Sequence, residues 1–101
     1  MHGYPLPMTD ILILQGHPDP KSFVAALVCA YAEGAANAGA SVRTIALVDL
    51  AFDPILRMGH HAPQPLEPDL EDAFAAIRAA RHVVFAFPTW WAGPPALVKG
   101  F

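Results

Sequence analysis

Three extended, apolar segments separated by helical stretches constrain the fold of this chain more than any other feature. Residues 11–14 form an uninterrupted apolar run between the polar residues Asp10 and Gln15. Such a run is typical of a strand that is buried on both faces, as the strands of parallel sheets are. Residues 42–48 form the second segment, and residues 82–87 form a third that is again apolar on both faces. The sequence therefore predicts three strands of a parallel sheet.

The interval after the first strand carries a helical pattern. Residues 22–37 are rich in alanine and predict an amphipathic helix, which Ser22 or Asp19 can cap. Its larger apolar residues are spaced four apart on one stripe: Phe23, Leu27 and Tyr31. The lone cysteine, Cys29, lies in the same helix and is expected to be a small buried core residue.

Two further helices complete an alternating order of strands and helices. The second is expected to start near Pro68 and Asp69 and to end at Arg81, because proline suits a first helical turn and acidic side chains stabilise its positive end. The third begins at Pro94 and Pro95. This alternation, with right-handed crossovers, predicts an α/β fold of three layers: a parallel sheet with helices on both faces. We expect the sheet to be doubly wound with the order 2-1-3, which is a common arrangement of such sheets.

Composition excludes several classes of protein. Of the 101 residues, 54% are hydrophobic and 15% are charged, which excludes a disordered chain. The net charge is −3 and the basic residues are scattered, so no nucleic-acid partner is expected. No apolar run approaches the roughly 20 residues of a membrane span, so no membrane insertion is expected. Residues 1–9 lack the features of a signal peptide, and we expect them to be a flexible leader of a cytoplasmic protein.

The long connection before the second helix contains the only histidine pair. His60 and His61 lie in a proline-rich segment, residues 57–68, that is expected to be a surface loop. Adjacent histidines point in different directions, and no third ligand stands at a metal-binding spacing. The sequence therefore predicts no metal site.

Two loops of unusual composition are expected to meet at one end of the sheet. They span residues 16–22 and 88–94 and follow the first and third strands. In the order 2-1-3, the connections from these two strands leave on opposite sides of the sheet, so a crevice opens between their carboxyl ends. The sequence therefore predicts a ligand site in that crevice.

The first of these loops has features of a phosphate site. The start of a helix presents free backbone N–H groups and a partial positive charge, and Lys21 and Ser22 add a cation and a hydroxyl donor. His17 can donate to a phosphate oxygen as well. Two prolines and Asp19 oppose this interpretation, and the alternative is a proline-rich turn with Ser22 as a cap and His17 on the surface.

The second loop has features of a site for a planar ring. Trp90 and Trp91 place a flat apolar surface next to backbone amides, and Gly93 allows a close approach to the chain. A flavin ring suits such a surface. The alternative is that the tryptophans cover the core or anchor an interface with another protein.

Three segments carry a resemblance to a known family. ILILQGHPDPKSF, DLAFDPIL and FAFPTWWAGPPALVKGF resemble the NAD(P)H:quinone oxidoreductase family of flavodoxin-like flavoproteins. The resemblance implies that residues 1–101 are the N-terminal part of a flavodoxin-like domain. It also implies two-electron reduction of quinones or similar acceptors by NAD(P)H, through FAD or FMN and usually in a homodimer.

The resemblance also implies which residues contact the flavin. The phosphate end would be held by His17, Ser22 and Phe23, with Val24 standing where the family often has an asparagine. The ring would lie against the family's Pro-x-x-Trp loop, which corresponds here to Pro88, Thr89, Trp90, Trp91 and Ala92. No residue of this part of the chain is expected to act as an acid, a base or a nucleophile.

The resemblance implies further elements beyond Phe101, namely the rest of a helix, two strands, a glycine-rich loop and a final helix. Without them the third strand would be an edge, which a second copy or another chain could complete. The alternative function is therefore a non-catalytic interaction or dimerisation module that uses Trp90 and Trp91 as contact anchors. A flavodoxin-type electron carrier fits less well, since its loops usually hold more hydroxyl residues.

Overall fold

A computed structural model describes residues 8–101. The elements follow one another in this order: β1 (Thr9–Gln15), α1 (Phe23–Asn37), β2 (Val42–Ala46), a short 3₁₀ helix (Leu47–Asp49), α2 (Pro68–Ala79), β3 (Ala80–Ala86) and α3 (Ala96–Gly100). The predicted alternation of strands and helices is thereby confirmed. Of the expected leader, residues 1–7 lie outside the described residues, and Thr9 is the first residue of β1.

The three strands form one parallel sheet in the order β2-β1-β3. Ile11 of β1 stands in register with Val42 of β2 on one side and with His82 of β3 on the other. The central place of β1 confirms the predicted order 2-1-3. The carboxyl ends of β1 and β3 therefore lie side by side.

The core confirms that the first strand is buried on both faces. Leu12, Ile13 and Leu14 are at most 1% exposed. Because successive side chains of a strand point to opposite faces, Ile13 lies on one face and its two neighbours on the other. Leu12 and Leu14 pack in one cluster with Ala73 and Ala76 of α2. The second face is flanked by α1, which contacts β1 and β2.

The first and third strands begin two residues earlier than predicted, at Thr9 and Ala80, and two predicted ends are also wrong by two residues. The second strand ends at Ala46 rather than Val48, because the chain closes a 3₁₀ turn in which Leu50 N–H donates to the Leu47 carbonyl at 3.2 Å. The second helix ends at Ala79 rather than Arg81, because Ala80 adopts an extended conformation and pairs with Thr9 of β1. The first change is a local turn, whereas in the second a contact between distant parts of the chain overrides the helix preference.

The face that α1 buries differs from the expected one. The predicted stripe is exposed: Phe23 by 77%, Leu27 by 52% and Tyr31 by 45%. Val28 is the buried residue of this helix, and Cys29 is exposed, so the expectation of a buried cysteine is wrong. The reason is that α1 turns its smaller side chains toward the sheet, where they allow a close approach of the helix.

Candidate functional site

The floor of the candidate site joins the ends of β1 and β3. Gly16 N–H donates to the Ala86 carbonyl at 2.7 Å, so the two loops start next to each other. A Cβ atom at Gly16 would overlap the Val98 side chain and would lie 3.2 Å from the Phe87 Cβ. Only glycine fits between β3 and α3 at this point.

Asp19 organises the first loop through backbone hydrogen bonds. Its carboxylate accepts from Lys21 N–H at 2.9 Å, and its carbonyl accepts from Ser22 N–H at 3.1 Å. Its own N–H donates to His17 Nδ1 at 2.9 Å. The Asp19 carboxylate, which was expected to disfavour a bound anion, therefore accepts a hydrogen bond from the backbone of its own loop.

The hydrogen bond from Asp19 also sets the tautomer of His17. A ring nitrogen that accepts a hydrogen bond carries no proton, so the neutral imidazole bears its proton on Nε2. The backbone N–H of His17 donates to the side-chain carbonyl of Gln15, which is itself buried. His17 is thus held at both its backbone and its Nδ1, while Nε2–H is a donor that the hydrogen bonds of the loop leave available.

Helix α1 begins at Phe23, directly after the first loop. The Ser22 hydroxyl oxygen accepts from Ala25 N–H at 3.1 Å, which identifies Ser22, of the two predicted candidates, as the cap. The cap leaves the hydroxyl proton free to donate to another group. Phe23 and Val24 occupy the first helical turn, where backbone N–H groups have no partner within the helix. The first turn contains no acidic residue, so nothing there opposes a negative charge.

The second loop closes as a tight two-residue turn. Trp90 N–H donates to the Gly93 carbonyl at 2.8 Å, and Gly93 N–H donates back to the Trp90 carbonyl at 3.1 Å. The residues between them, Trp91 and Ala92, have φ angles of 52° and 64°. Two successive left-handed residues define a type I′ turn, which asparagine and glycine normally occupy.

This turn presents Trp91 entirely to solvent. A left-handed conformation costs a non-glycine residue about 1–2 kcal/mol, so the sequence sustains strain at Trp91 and at Ala92. Strain of this kind is concentrated at ligand clamps and other functional sites. The turn therefore has a strained backbone at two residues and a fully exposed Trp91 side chain.

The two loops meet through His17 and Trp90. Their ring centroids are 5.2 Å apart at an interplanar angle of 81°, an edge-to-face arrangement. Pro88 and Thr89 connect the end of β3 to the Trp90 turn, and Ser22, Phe23 and Val24 follow the His17 loop into α1. The structure thus brings the two candidate loops into contact at the carboxyl ends of β1 and β3.

Lys99 is a residue that the sequence analysis missed. A Cβ atom at Gly93 would lie 3.5 Å from the Lys99 Nζ, so the ammonium group lies beside the Trp90 turn. Lys99 lies in α3, which begins at Ala96 and places the lysine side chain next to Gly93. No sequence motif predicts this contact, because it depends on the residue at which α3 begins.

Other charged groups lie away from the crevice. The backbone N–H of Ser41 holds the pKa of Asp10 below its ordinary value, with a smaller contribution from Arg81. The backbone N–H of Ile55 and the Arg57 side chain lower the pKa of Asp53. Within residues 8–101, no three histidine, cysteine, aspartate or glutamate side chains cluster as a metal site requires.

Comparison with known proteins places this fold in a family. The sequence profile described as flavodoxin-like fold matches residues 9–101. The chain belongs to the flavodoxin-like fold family. The match covers both candidate loops and all three strands of this flavodoxin-like chain.

Two individual proteins narrow the relationship. The flavodoxin-like chain is 26% identical, over 111 residues, to ribosyldihydronicotinamide dehydrogenase [quinone] of Mus musculus, covering 90% of the chain and 48% of the mouse protein. The NAD(P)H:quinone oxidoreductase from Methanothermobacter marburgensis matches in structure with a TM-score of 0.77 and 29% identity, covering 92% of the chain and 50% of that protein. The resemblance to NAD(P)H:quinone oxidoreductases is thereby confirmed. The chain spans about half the length of both proteins.

Between residues 8 and 101, no helix is both long and apolar enough to cross a bilayer.

Proposed function

We propose that this chain forms the flavin-binding part of an NAD(P)H-dependent oxidoreductase that reduces quinones or similar acceptors by two electrons. The contact between His17 and Trp90 carries the proposal, because it joins a loop suited to phosphate with a loop suited to a flat ring. The names of the relatives from Mus musculus and Methanothermobacter marburgensis, a quinone dehydrogenase and a quinone oxidoreductase, support the choice of acceptor.

The first loop fits the phosphate end of FMN or FAD. Its donors are of three kinds: the His17 Nε2–H, the Ser22 hydroxyl and the backbone N–H groups of Phe23 and Val24. The positive end of the α1 dipole adds to them. Val24 offers no side-chain donor, so at this position the backbone alone would contribute.

The second loop fits the isoalloxazine ring. Residues 88–92 would line it, with the backbone amides of Thr89, Trp91 and Ala92 as hydrogen-bond donors and the exposed Trp91 as an apolar surface, while the Trp90 amide stays bonded to the Gly93 carbonyl. A bound flavin supplies the redox chemistry, an exchange of two electrons between a nicotinamide and a quinone. The residues of this chain would bind the flavin, orient its ring and exclude water from it.

The proposal also covers the electron donor, the cellular compartment and the partner chain. NADH or NADPH would donate the electrons, the protein would work in the cytoplasm, and a second copy or another chain would complete the sheet. The last point is supported by β3, which pairs only with β1 among the described residues and so presents a free edge.

Purified protein tests the proposal. We expect flavin absorbance bands in the protein as isolated, or quenching of FMN or FAD fluorescence on titration with it. NAD(P)H-dependent reduction of a benzoquinone by the loaded protein would extend the test to activity. A colourless protein that leaves both flavins unquenched would refute the proposal.

A second candidate is a non-catalytic interaction module. The full exposure of Trp91 favours it, since an uncovered indole is also typical of an interface anchor. Light scattering would then show a flavin-free oligomer that Trp91→Ala dissociates. If the protein is monomeric, or if Trp91→Ala leaves the oligomer intact, this candidate is excluded.

A further inference from the structure

A cavity lies between the loop after β2 and α3, and neither His17 nor Trp90 lines it. It has a volume of about 550 Å³, which is within the range of sites for small molecules. Its lining is apolar except for one cation: Leu50, Phe52, Pro54, Ile55, Leu97 and Lys99.

Hydrogen bonds to α2 fix the loop wall of this cavity. Ala51 N–H donates to the Asp69 carboxylate at 2.6 Å, and Asp53 N–H donates to the Glu67 carboxylate. The Asp53 carboxylate accepts in turn from Ile55 N–H at 3.0 Å. Three carboxylates therefore hold the loop in one conformation, which favours a preformed site.

The second wall of the cavity is α3, which comes close to the loop after β2 at Gly100 and Pro54. A Cβ atom at Gly100 would lie 2.5 Å from the Pro54 Cβ, so only glycine allows this approach. Next to it, the rings of Phe52 and Phe101 meet edge to face, with centroids 6.3 Å apart. These contacts join the loop after β2 to α3 beside the cavity.

Lys99 is the one charged residue among those that line this cavity. The ion pairs within the described part of the chain are Arg57 with Asp53 and Arg81 with Asp10, so Lys99 has no carboxylate partner there. Lys99 also lines the adjoining hollow with Asp53 and Glu67, whose carboxylates accept hydrogen bonds from the Arg57 side chain and from Asp53 N–H. An apolar cavity whose lining contains one lysine that forms no ion pair within the described residues suits an apolar ligand with one negative charge.

We propose that this cavity binds a flat apolar molecule carrying a single anionic group, such as an aromatic carboxylate or sulfonate. The apolar walls take the ring system, and Lys99 pairs with the anion. This inference does not depend on flavin binding. Because Lys99 lies beside Gly93, the ligand would border the turn that presents Trp91.

Two fluorescent probes with the same ring system test the proposal in the full chain without flavin. 8-Anilinonaphthalene-1-sulfonate is anionic, and N-phenyl-1-naphthylamine is its uncharged counterpart. We expect the anionic probe to bind roughly tenfold more tightly, in keeping with a charge-assisted hydrogen bond. The preference should shrink as salt is added.

Matched variants assign the preference to this cavity. Lys99→Met should remove the preference for the anion and leave the uncharged probe unaffected. Arg43→Met removes an exposed cation of β2 outside the cavity and should change neither affinity. Ala96→Phe places a ring at the α3 wall and should weaken both probes.

Three results would overturn the proposal. The first is equal affinity of the two probes for the wild-type protein, and the second is a preference that survives Lys99→Met. The third is a dimer that excludes the anionic probe until dilution dissociates it, since a second copy would then be the occupant. None of these results depends on whether flavin binds, so failure here is distinguishable from failure of the proposed function.

Discussion

The imidazole of His17 packs edge to face against the indole of Trp90, with a centroid separation of 5.2 Å. One residue follows β1 and the other follows β3, so the contact spans the two strand ends that the Gly16 N–H joins to Ala86. The geometry of each loop is therefore coupled to the other. A change in His17 should be detectable at Trp90.

Fluorescence quenching tests this coupling directly. In a Trp91→Phe background, where Trp90 is the only tryptophan, His17→Ala should raise the accessibility of Trp90 to acrylamide, because the imidazole covers part of its ring. His82→Ala removes a histidine of β3 and serves as the control. Unchanged accessibility in the His17 variant would mean that the loops do not meet in solution.

Gly16→Ala should destabilise the protein by about 1–3 kcal/mol, the usual cost of overpacking. The added methyl group would overlap Val98 and crowd Phe87. Gly34→Ala is the matched control, since a Cβ at that helical position meets nothing within 4 Å, and alanine should stabilise α1 by about 0.5–1 kcal/mol. Urea denaturation measures both changes. A neutral Gly16→Ala would contradict the close approach of β3 and α3.

Ala92→Gly should raise the free energy of unfolding by about 1 kcal/mol, because glycine adopts the left-handed conformation of this turn without strain. Ala38→Gly is the control, since Ala38 has a φ of −84° and relieves no such strain. Thermal or urea unfolding would show the gain at position 92 and none at position 38. A loss of stability in Ala92→Gly would argue against the type I′ turn.

Stability should fall in acid partly through Asp10. Its pKa is lowered in the folded state, chiefly by the hydrogen bond from Ser41 N–H. A group with a lowered folded pKa contributes stability above its unfolded pKa, which is about 4, and loses that contribution as the pH falls through the folded value. The stability difference between wild type and Asp10→Asn should therefore be present at pH 7 and shrink below about pH 4. A difference that is constant from pH 7 to pH 3 would contradict this account.

The strands could be predicted because their pattern is local: the apolar run of residues 11–14 is bounded by polar residues. Their order could be predicted only from the doubly wound arrangement, since residues 82–87 are apolar on both faces as well and β3 has no buried residue. The meeting of the two loops then follows from topology. The end of α2 could not be predicted, because the pairing of Ala80 with Thr9 is a contact between distant parts of the chain.

The sequence could not predict which face of α1 is buried or which conformation the turn between Trp90 and Gly93 adopts. Helix α1 is apolar on more than one side, so the larger residues Phe23 and Leu27 gave the wrong buried face. A type I′ turn is normally signalled by asparagine and glycine, whereas this one contains Trp91 and Ala92. Sequence reasoning could identify the loop but not its conformation.

Flavin titration separates the roles of the two loops. FMN and riboflavin share the ring, and only FMN carries the phosphate. Ser22→Asp keeps a good helix cap while adding a negative charge at the start of α1, so the fold should be retained and phosphate disfavoured. Trp91→Ala removes an exposed apolar surface from the ring loop.

The central claim is that both loops hold one flavin, and equilibrium titration of fluorescence with FMN and riboflavin measures it most directly. We predict that wild type prefers FMN, that Ser22→Asp abolishes the preference while riboflavin binding persists, and that Trp91→Ala weakens both ligands alike. Equal binding of FMN by wild type and both variants, or no binding of either ligand by wild type, would contradict the claim.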